Sequence, residues 1–106
     1  MKKLLVLGLA ILSCSFTASF YHSKYEGRKA ADGSIFHQNK LTAASNIFKL
    51  GDSVRVTNLK NGKSVEVKIT DRMAPHYRNR IDLSKRAYKQ LADLNTGVIK
   101  VNVEKL

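Results

Sequence analysis

Apolar and polar residues alternate through the middle of the chain. In residues 53–59, SVRVTNL, Val54 and Val56 alternate with Arg55 and Thr57; in residues 64–70, SVEVKIT, Val65, Val67 and Ile69 alternate with Glu66, Lys68 and Thr70. A period of two turns one face of a strand to a core and the other to water. Between the runs stands Lys60-Asn61-Gly62-Lys63. Asn-Gly tolerates positive φ at both centres of a tight turn, so the segment predicts a β-hairpin. Residues 98–106, VIKVNVEKL, alternate again and predict a last strand. Residues 19–22 and 41–45 predict two shorter strands. Gly27, Asp32-Gly33 and Ser34 mark a loop over 23–34, and Leu50-Gly51-Asp52 a turn. One helix is expected over 85–94. Ser84 is its N-cap, Asp82 lies ahead of its positive end, Ala87, Tyr88, Leu91 and Leu94 form its apolar stripe, and Gly97 stops it. Short strands in so small a chain hide their edges best in a closed barrel.

The first residues follow another pattern. MKKLLVLGLAILSC begins with two lysines and runs apolar from Leu4 to Leu12. A charged start, a short apolar stretch and small residues make a signal peptide. A spanning helix would need ~20 apolar residues. Ile11-Leu12-Ser13-Cys14 resembles a lipobox, the bacterial export signal whose cysteine becomes an acylated N-terminus. Cys14 is the sole cysteine of the 106 residues, so it has no intramolecular disulfide partner. The expected division is therefore a signal peptide over 1–14 and one domain over 15–106. A lipid anchor at Cys14 would tie that domain to a membrane. Ser15, not acidic, is compatible with the outer membrane, the domain facing the periplasm. Cleavage after Thr17-Ala18-Ser19 is the alternative.

Without Lys2 and Lys3, 17 basic residues face 8 acidic ones, a formal +9. That charge favours polyanions: nucleic acid, anionic lipid or a carboxylate-bearing wall polymer. Export sets nucleic acid aside. Three scattered histidines and one cysteine make no metal site, and no cofactor is expected. A monomer is expected.

Taken together, residues 17–36, LTAAS, VRVTNLKNGKSVEVKITDR and RIDLSKRAYKQLA resemble the rare lipoprotein A (RlpA) family over nearly the whole exported chain. The resemblance implies an all-β fold with one short helix, a six-stranded double-psi β-barrel. It implies action on bacterial cell wall, since characterised members are lytic transglycosylases that cut glycan strands stripped of stem peptides and leave anhydromuramyl ends. The same barrel serves expansins, which loosen wall polymers without evident hydrolysis, so the fold does not decide between catalysis and a non-catalytic peptidoglycan-binding module.

Asp71, in ITDRMAPH, matches the aspartate of the family's Asp-Arg motif. One carboxyl group can act as acid and then as base, because the sugar's own six-hydroxyl replaces water. Asp71 and Arg72 can equally be structural, capping loops or pairing with Asp82 and Arg80. Arg72 could instead hold a muramate carboxylate. The pattern departs from the family in its Asp-Arg-Gly-Pro-Phe loop, here Asp71-Arg72-Met73-Ala74-Pro75-His76, and at two further positions. Ser34 stands where members carry glutamate, and Ser45 where they carry histidine. Substrate contacts are expected from Arg72, Tyr21, Arg28, Ser34, Ser45 and His76. Tyr21, Tyr25 and Tyr77 could stack on sugars or pack the barrel rim. Glu26 could replace the lost glutamate, His37 or His76 could assist proton transfer, and Glu66 should face solvent.

Overall fold

The computed structural model describes residues 14–106. Residues 1–13, which hold the lipobox-like Ile11 to Ser13 and all of the expected signal peptide but Cys14, lie outside them. Six strands form one closed barrel: β1 (Cys14–Phe20), β2 (Thr42–Ala44), β3 (Ser53–Asn58), β4 (Ser64–Asp71), β5 (Arg80–Leu83) and β6 (Ile99–Lys105). Around the barrel the order is β1-β5-β2-β4-β3-β6. β1 runs parallel to β5 and β2 parallel to β4, while the other neighbours are antiparallel. One helix, α1 (Lys85–Lys89), follows β5.

The period-two reading holds on β3, β4 and β6. Val54, Val56, Val65, Val67, Ile69, Val101 and Val103 point inward and are buried, joined by Ala18, Ile81 and Leu83. Each large aliphatic side chain so enclosed stabilises the barrel by about 1.5–3 kcal/mol. A second, smaller cluster of Tyr21, Phe36 and Ala44, with Met73 against it, lies beside the barrel and supports the loops around Asp71.

Four sequence expectations shift. The hairpin between β3 and β4 forms, but only Gly62 has positive φ, +78°, and no non-glycine residue does among those described. The connection is thus longer than a two-residue turn: the Gly62 N–H donates to the Asn58 carbonyl and the Asn58 N–H to that of Lys63. α1 is shorter than expected. Ser84 caps it as read, its hydroxyl accepting from the Ala87 N–H. Beyond its end the Leu91 carbonyl accepts from the side-chain amides of Asn58 and Asn61, each at 3.0 Å. Gly97 instead ends a separate 3-10 turn, Leu94–Thr96. β1 begins five residues before its expected start at 19, at Cys14. β5 is a strand beyond those expected, although Ile81 and Leu83 alternate with Arg80 and Asp82 as strand residues do.

Candidate active site

Asp71 ends β4, where the chain leaves the barrel wall for the loop 72–79. Its carboxylate is held from three directions. Oδ1 accepts from the backbone N–H of Ala31 and of Arg72, each at 2.9 Å, and Oδ2 accepts from the Tyr21 hydroxyl at 2.8 Å. A carboxylate offers about four lone-pair sites, two per oxygen. Oδ1 is therefore filled, while Oδ2 keeps one position for a substrate proton. Among the described residues Asp71 has no ion pair, so the reading that it pairs with a basic neighbour does not hold.

Tyr21 is buried, with its ring stacked on Phe36 at 4.1 Å and meeting Tyr25 edge-on at 5.7 Å. Burial, and after it the hydrogen bond to Asp71, pushes its phenol well above the ordinary tyrosine value. It therefore stays a donor. Tyr21 lines the groove with one ring face on Phe36 and its hydroxyl on Asp71.

Asp71 opens into a groove of about 500 Å³ that also takes in Ser19, Tyr25, Tyr77, Arg80 and Asp82. Asp82 is the residue that sequence reasoning undervalued. Ser19 donates its hydroxyl to Asp82 Oδ1, Arg80 donates to Ser19 Oγ at 2.9 Å, and Arg80 pairs with Asp82 at 3.5 Å. The groove thus holds two carboxylates, one bound by neutral donors and one by a cation. Had residues 80–83 been read as a strand, Asp82 would have been placed facing outward beside Ser19, its register partner.

Arg72 lines the groove, but its Nη1 donates to the carbonyls of Ser45 at 2.5 Å and Phe48 at 2.6 Å. It ties the loop after β2 to the loop after β4, the loop-capping role. Asn46, not singled out from the sequence, completes that tie: its amide donates to the Ala74 and Tyr77 carbonyls and accepts from the Met73 N–H. Ser45 is fully buried, its hydroxyl accepting from the Ile47 and Phe48 N–H groups. It has no surface to offer a substrate. Ser34 lies outside the groove, in a neighbouring depression with Lys68 and Thr70, and its hydroxyl donates to Asp32 at 2.6 Å. Arg28 does not line the groove, but its guanidinium lies 5.7 Å from the ring of Tyr25, which does; Gly27 before it has φ +82°, the tight turn expected there. His76 is exposed and packs on Tyr77 at 4.2 Å without lining the groove.

Glu26, the candidate substitute for the family's glutamate, does not line the groove. It accepts from the Gln38 N–H at 2.8 Å and contacts His37 Nδ1 at 2.6 Å, and the first of these, with help from the second, holds its carboxyl below the usual range. Both of its oxygens are engaged in that loop, away from the groove that Asp71 lines. His37 is taken up in the same contact. Glu66 faces out and pairs with Arg55 at 3.3 Å. Among the described residues no group of three His, Cys, Asp or Glu could hold a metal ion.

Residues 15–103 match the protein family described as lytic transglycolase. The chain belongs to that family. Over 88 residues it is 46% identical to the endolytic peptidoglycan transglycosylase RlpA of Pasteurella multocida, covering 82% of this chain and 30% of that protein. It is 40% identical over 89 residues to the RlpA of Neisseria meningitidis, covering 84% of this chain and 37% of that one. The chain therefore spans about a third of the length of these relatives. Two solved structures share its fold: a Streptomyces papain inhibitor, with TM-score 0.69 and 23% identity over 87% of this chain and 94% of that one, and a mutant Clavibacter michiganensis expansin in complex with cellohexaose, with TM-score 0.68 and 19% identity over 89% of this chain and 50% of that one. The fold expected from the RlpA resemblance is the fold observed.

Proposed function

We propose that this domain is an endolytic peptidoglycan lytic transglycosylase acting on glycan strands without stem peptides, with Asp71 as its acid and base. The supporting observation is the Asp71 carboxylate at the mouth of the groove, fixed by three donors with one lone-pair position left on Oδ2. Asp71 gives its proton to the glycosidic oxygen as the bond to C1 of muramic acid breaks. It then takes the proton of the C6 hydroxyl as that oxygen bonds to C1. The products are a new four-hydroxyl end and an anhydro ring, with no water consumed. Positioning by Tyr21 keeps the same oxygen available for both transfers. Tyr25 and Tyr77, each more than a third exposed on the groove wall, offer faces to the sugar rings. The free nitrogens of Arg72 remain for a lactyl carboxylate.

A second reading is a non-catalytic wall-binding module, and Ser34 favours it. The position where relatives are expected to carry glutamate holds a hydroxyl turned to Asp32. Product analysis separates the two. Residues 15–106 are incubated with amidase-stripped sacculi beside Asp71→Asn, and soluble fragments are weighed. Anhydromuramyl products from the parent alone support the enzyme. Bound but uncut sacculi in both samples support the binding module.

We further propose that Cys14 is acylated and anchors the barrel to the outer membrane, facing the periplasm. The lipobox pattern supports this. Because β1 begins at Cys14 itself, the anchored barrel would sit directly on the bilayer. Fatty-acid labelling of the parent, lost in Cys14→Ala, is the expected result.

A further inference from the structure

A cavity of about 910 Å³, larger than the Asp71 groove, lies where the β3–β4 turn meets the start of β6 and the residues after α1. Four lysines line it: Lys60, Lys63, Lys89 and Lys100, with Asp93 as the one acid. All four are exposed, and among the described residues none of them forms an ion pair. Leu59 and Val98, 53% and 60% exposed, add an apolar surface.

The frame of this cleft is built from groups that satisfy one another. Besides their bonds to Leu91, Asn58 accepts from the Lys60 N–H and Asn61 from the Lys63 N–H, each at 2.9 Å. The ammonium groups are the part left without partners. Like charges gathered in one cleft repel, and a ligand bringing negative charge relieves that repulsion.

Strand register ties this cleft to the groove. Asp71 pairs with Ala44, Ala44 with Asp82, and Asp82 with Ser19. Ala18 pairs with Ile99, which sets Ser19 beside Val98 at the lip of the cleft. Four strand-to-strand steps of ~4.8 Å make a path of roughly 19 Å across the outside of the barrel. An extended polymer lying in the groove and crossing β1 over Ser19 would arrive among the lysines.

We propose that the lysine cleft is a second binding site for the same polymer, taking the carboxylates of a glycan strand whose cleavable bond lies at Asp71. The identity of the ligand rests on the wall-polymer reading above. Lysine suits this role: it is a mobile point charge that meets single carboxylates at variable positions, whereas the arginine fork suits fixed bidentate recognition. The exposed Leu59 and Val98 suit the C–H faces of sugar rings.

The test uses the variant Lys60→Gln/Lys63→Gln/Lys89→Gln/Lys100→Gln and the double variant Lys63→Gln/Lys100→Gln, each checked for parental thermal unfolding. Co-sedimentation with amidase-stripped sacculi is measured across a salt series. The expected result is at least tenfold weaker binding by the quadruple variant at low salt, a flatter salt dependence and an intermediate double variant. Carboxyl-reduced glycan should bind the parent no better than stripped sacculi bind the quadruple variant. Cleavage of fragments too short to span the path should stay within twofold of the parent. Equal binding by parent and quadruple variant, no binding by the parent, or lysine-dependent binding that is tighter for anionic vesicles or an oligonucleotide would each overturn the proposal. Lysine-dependent glycan binding without any cleavage would leave this site standing and remove the enzymatic reading, while cleavage with lysine-independent binding would do the reverse.

Discussion

Two recesses of the barrel use polar groups in opposite ways. Around Asp71 nearly every polar atom has a partner inside the protein: Tyr21, Ala31 and Arg72 on one carboxylate, Ser19 and Arg80 on the other. Around Lys60, Lys63, Lys89 and Lys100 the frame is bonded and the charges are not. Proton transfer needs one atom held within a few tenths of an ångström of its target. Capture of a flexible polyanion needs only charge at roughly the right place, at low entropic cost to the protein. A region rich in internal hydrogen bonds is therefore the better place to look for chemistry, even where another cavity is larger.

The largest expected effect breaks the comparison at its centre. Asp71→Asn keeps the size of the side chain and an oxygen to accept from its donors, but it removes the proton carrier. Anhydromuramyl release should fall by at least about a hundredfold, the usual scale of general acid–base catalysis. Binding to sacculi and the unfolding midpoint should hold. Loss of binding along with cleavage would mean that Asp71 shapes the groove rather than reacting in it.

At the lysine recess the corresponding change is Asn58→Ala. Asn58 is buried, donates to the Leu91 carbonyl and accepts from the Lys60 N–H, so its loss leaves that N–H without its acceptor. Urea denaturation should show a loss of about 1–3 kcal/mol, the cost of an unsatisfied buried group. Cleavage of short fragments should be unaffected. Tyr21→Phe tests the groove more gently, keeping the ring on Phe36 and removing only the donor to Asp71. The expected outcome is a stability loss of about 1 kcal/mol and a kcat roughly tenfold lower, since that factor needs only ~1.4 kcal/mol. KM should not move, because a positioning residue acts on the reacting carboxylate and not on the bound polymer.

What depends on neighbours along the chain is the most legible in the sequence. Alternation alone places Val54, Val56, Val65, Val67 and Ile69 inward, and Ser84 reads as a cap because its acceptor role is local. The position of Asp71 follows from its motif. What it binds does not, since Ala31 and Tyr21 are 40 and 50 residues away. β5 escapes notice because its four residues run straight into Ser84 and the helix it caps, so Asp82 reads as part of the helix start. With it go the outward-facing Asp82 and the register that joins groove to lysines. The lysines themselves are visible only as net charge. Ser45 misleads for a related reason: its place in the motif is right, but its hydroxyl serves the turn that follows β2.

The resemblance to the RlpA pattern makes Ser34 a substrate contact, whereas the structure sets it outside the groove. Its hydroxyl at 2.6 Å and its backbone N–H at 2.9 Å both donate to Asp32, and these two bonds, the hydroxyl first, hold the Asp32 carboxyl below its usual range. A folded-state value below the unfolded one gives stability that is present above the unfolded pKa of about 3.9 and is lost as pH falls through the folded value. Ser34→Ala removes the hydroxyl and leaves the N–H. The Asp32 titration, followed by carboxyl NMR, should move part of the way up, and the acid side of the stability profile should flatten slightly. Glu26, held down by Gln38 and His37 instead, should titrate as before. If Ser34 belongs to Asp32 as the geometry has it, glycan cleavage should stay within twofold while Asp32 shifts. If cleavage falls and Asp32 does not move, the hydroxyl is working in the groove, and the loss of the family's glutamate has been answered at its own position.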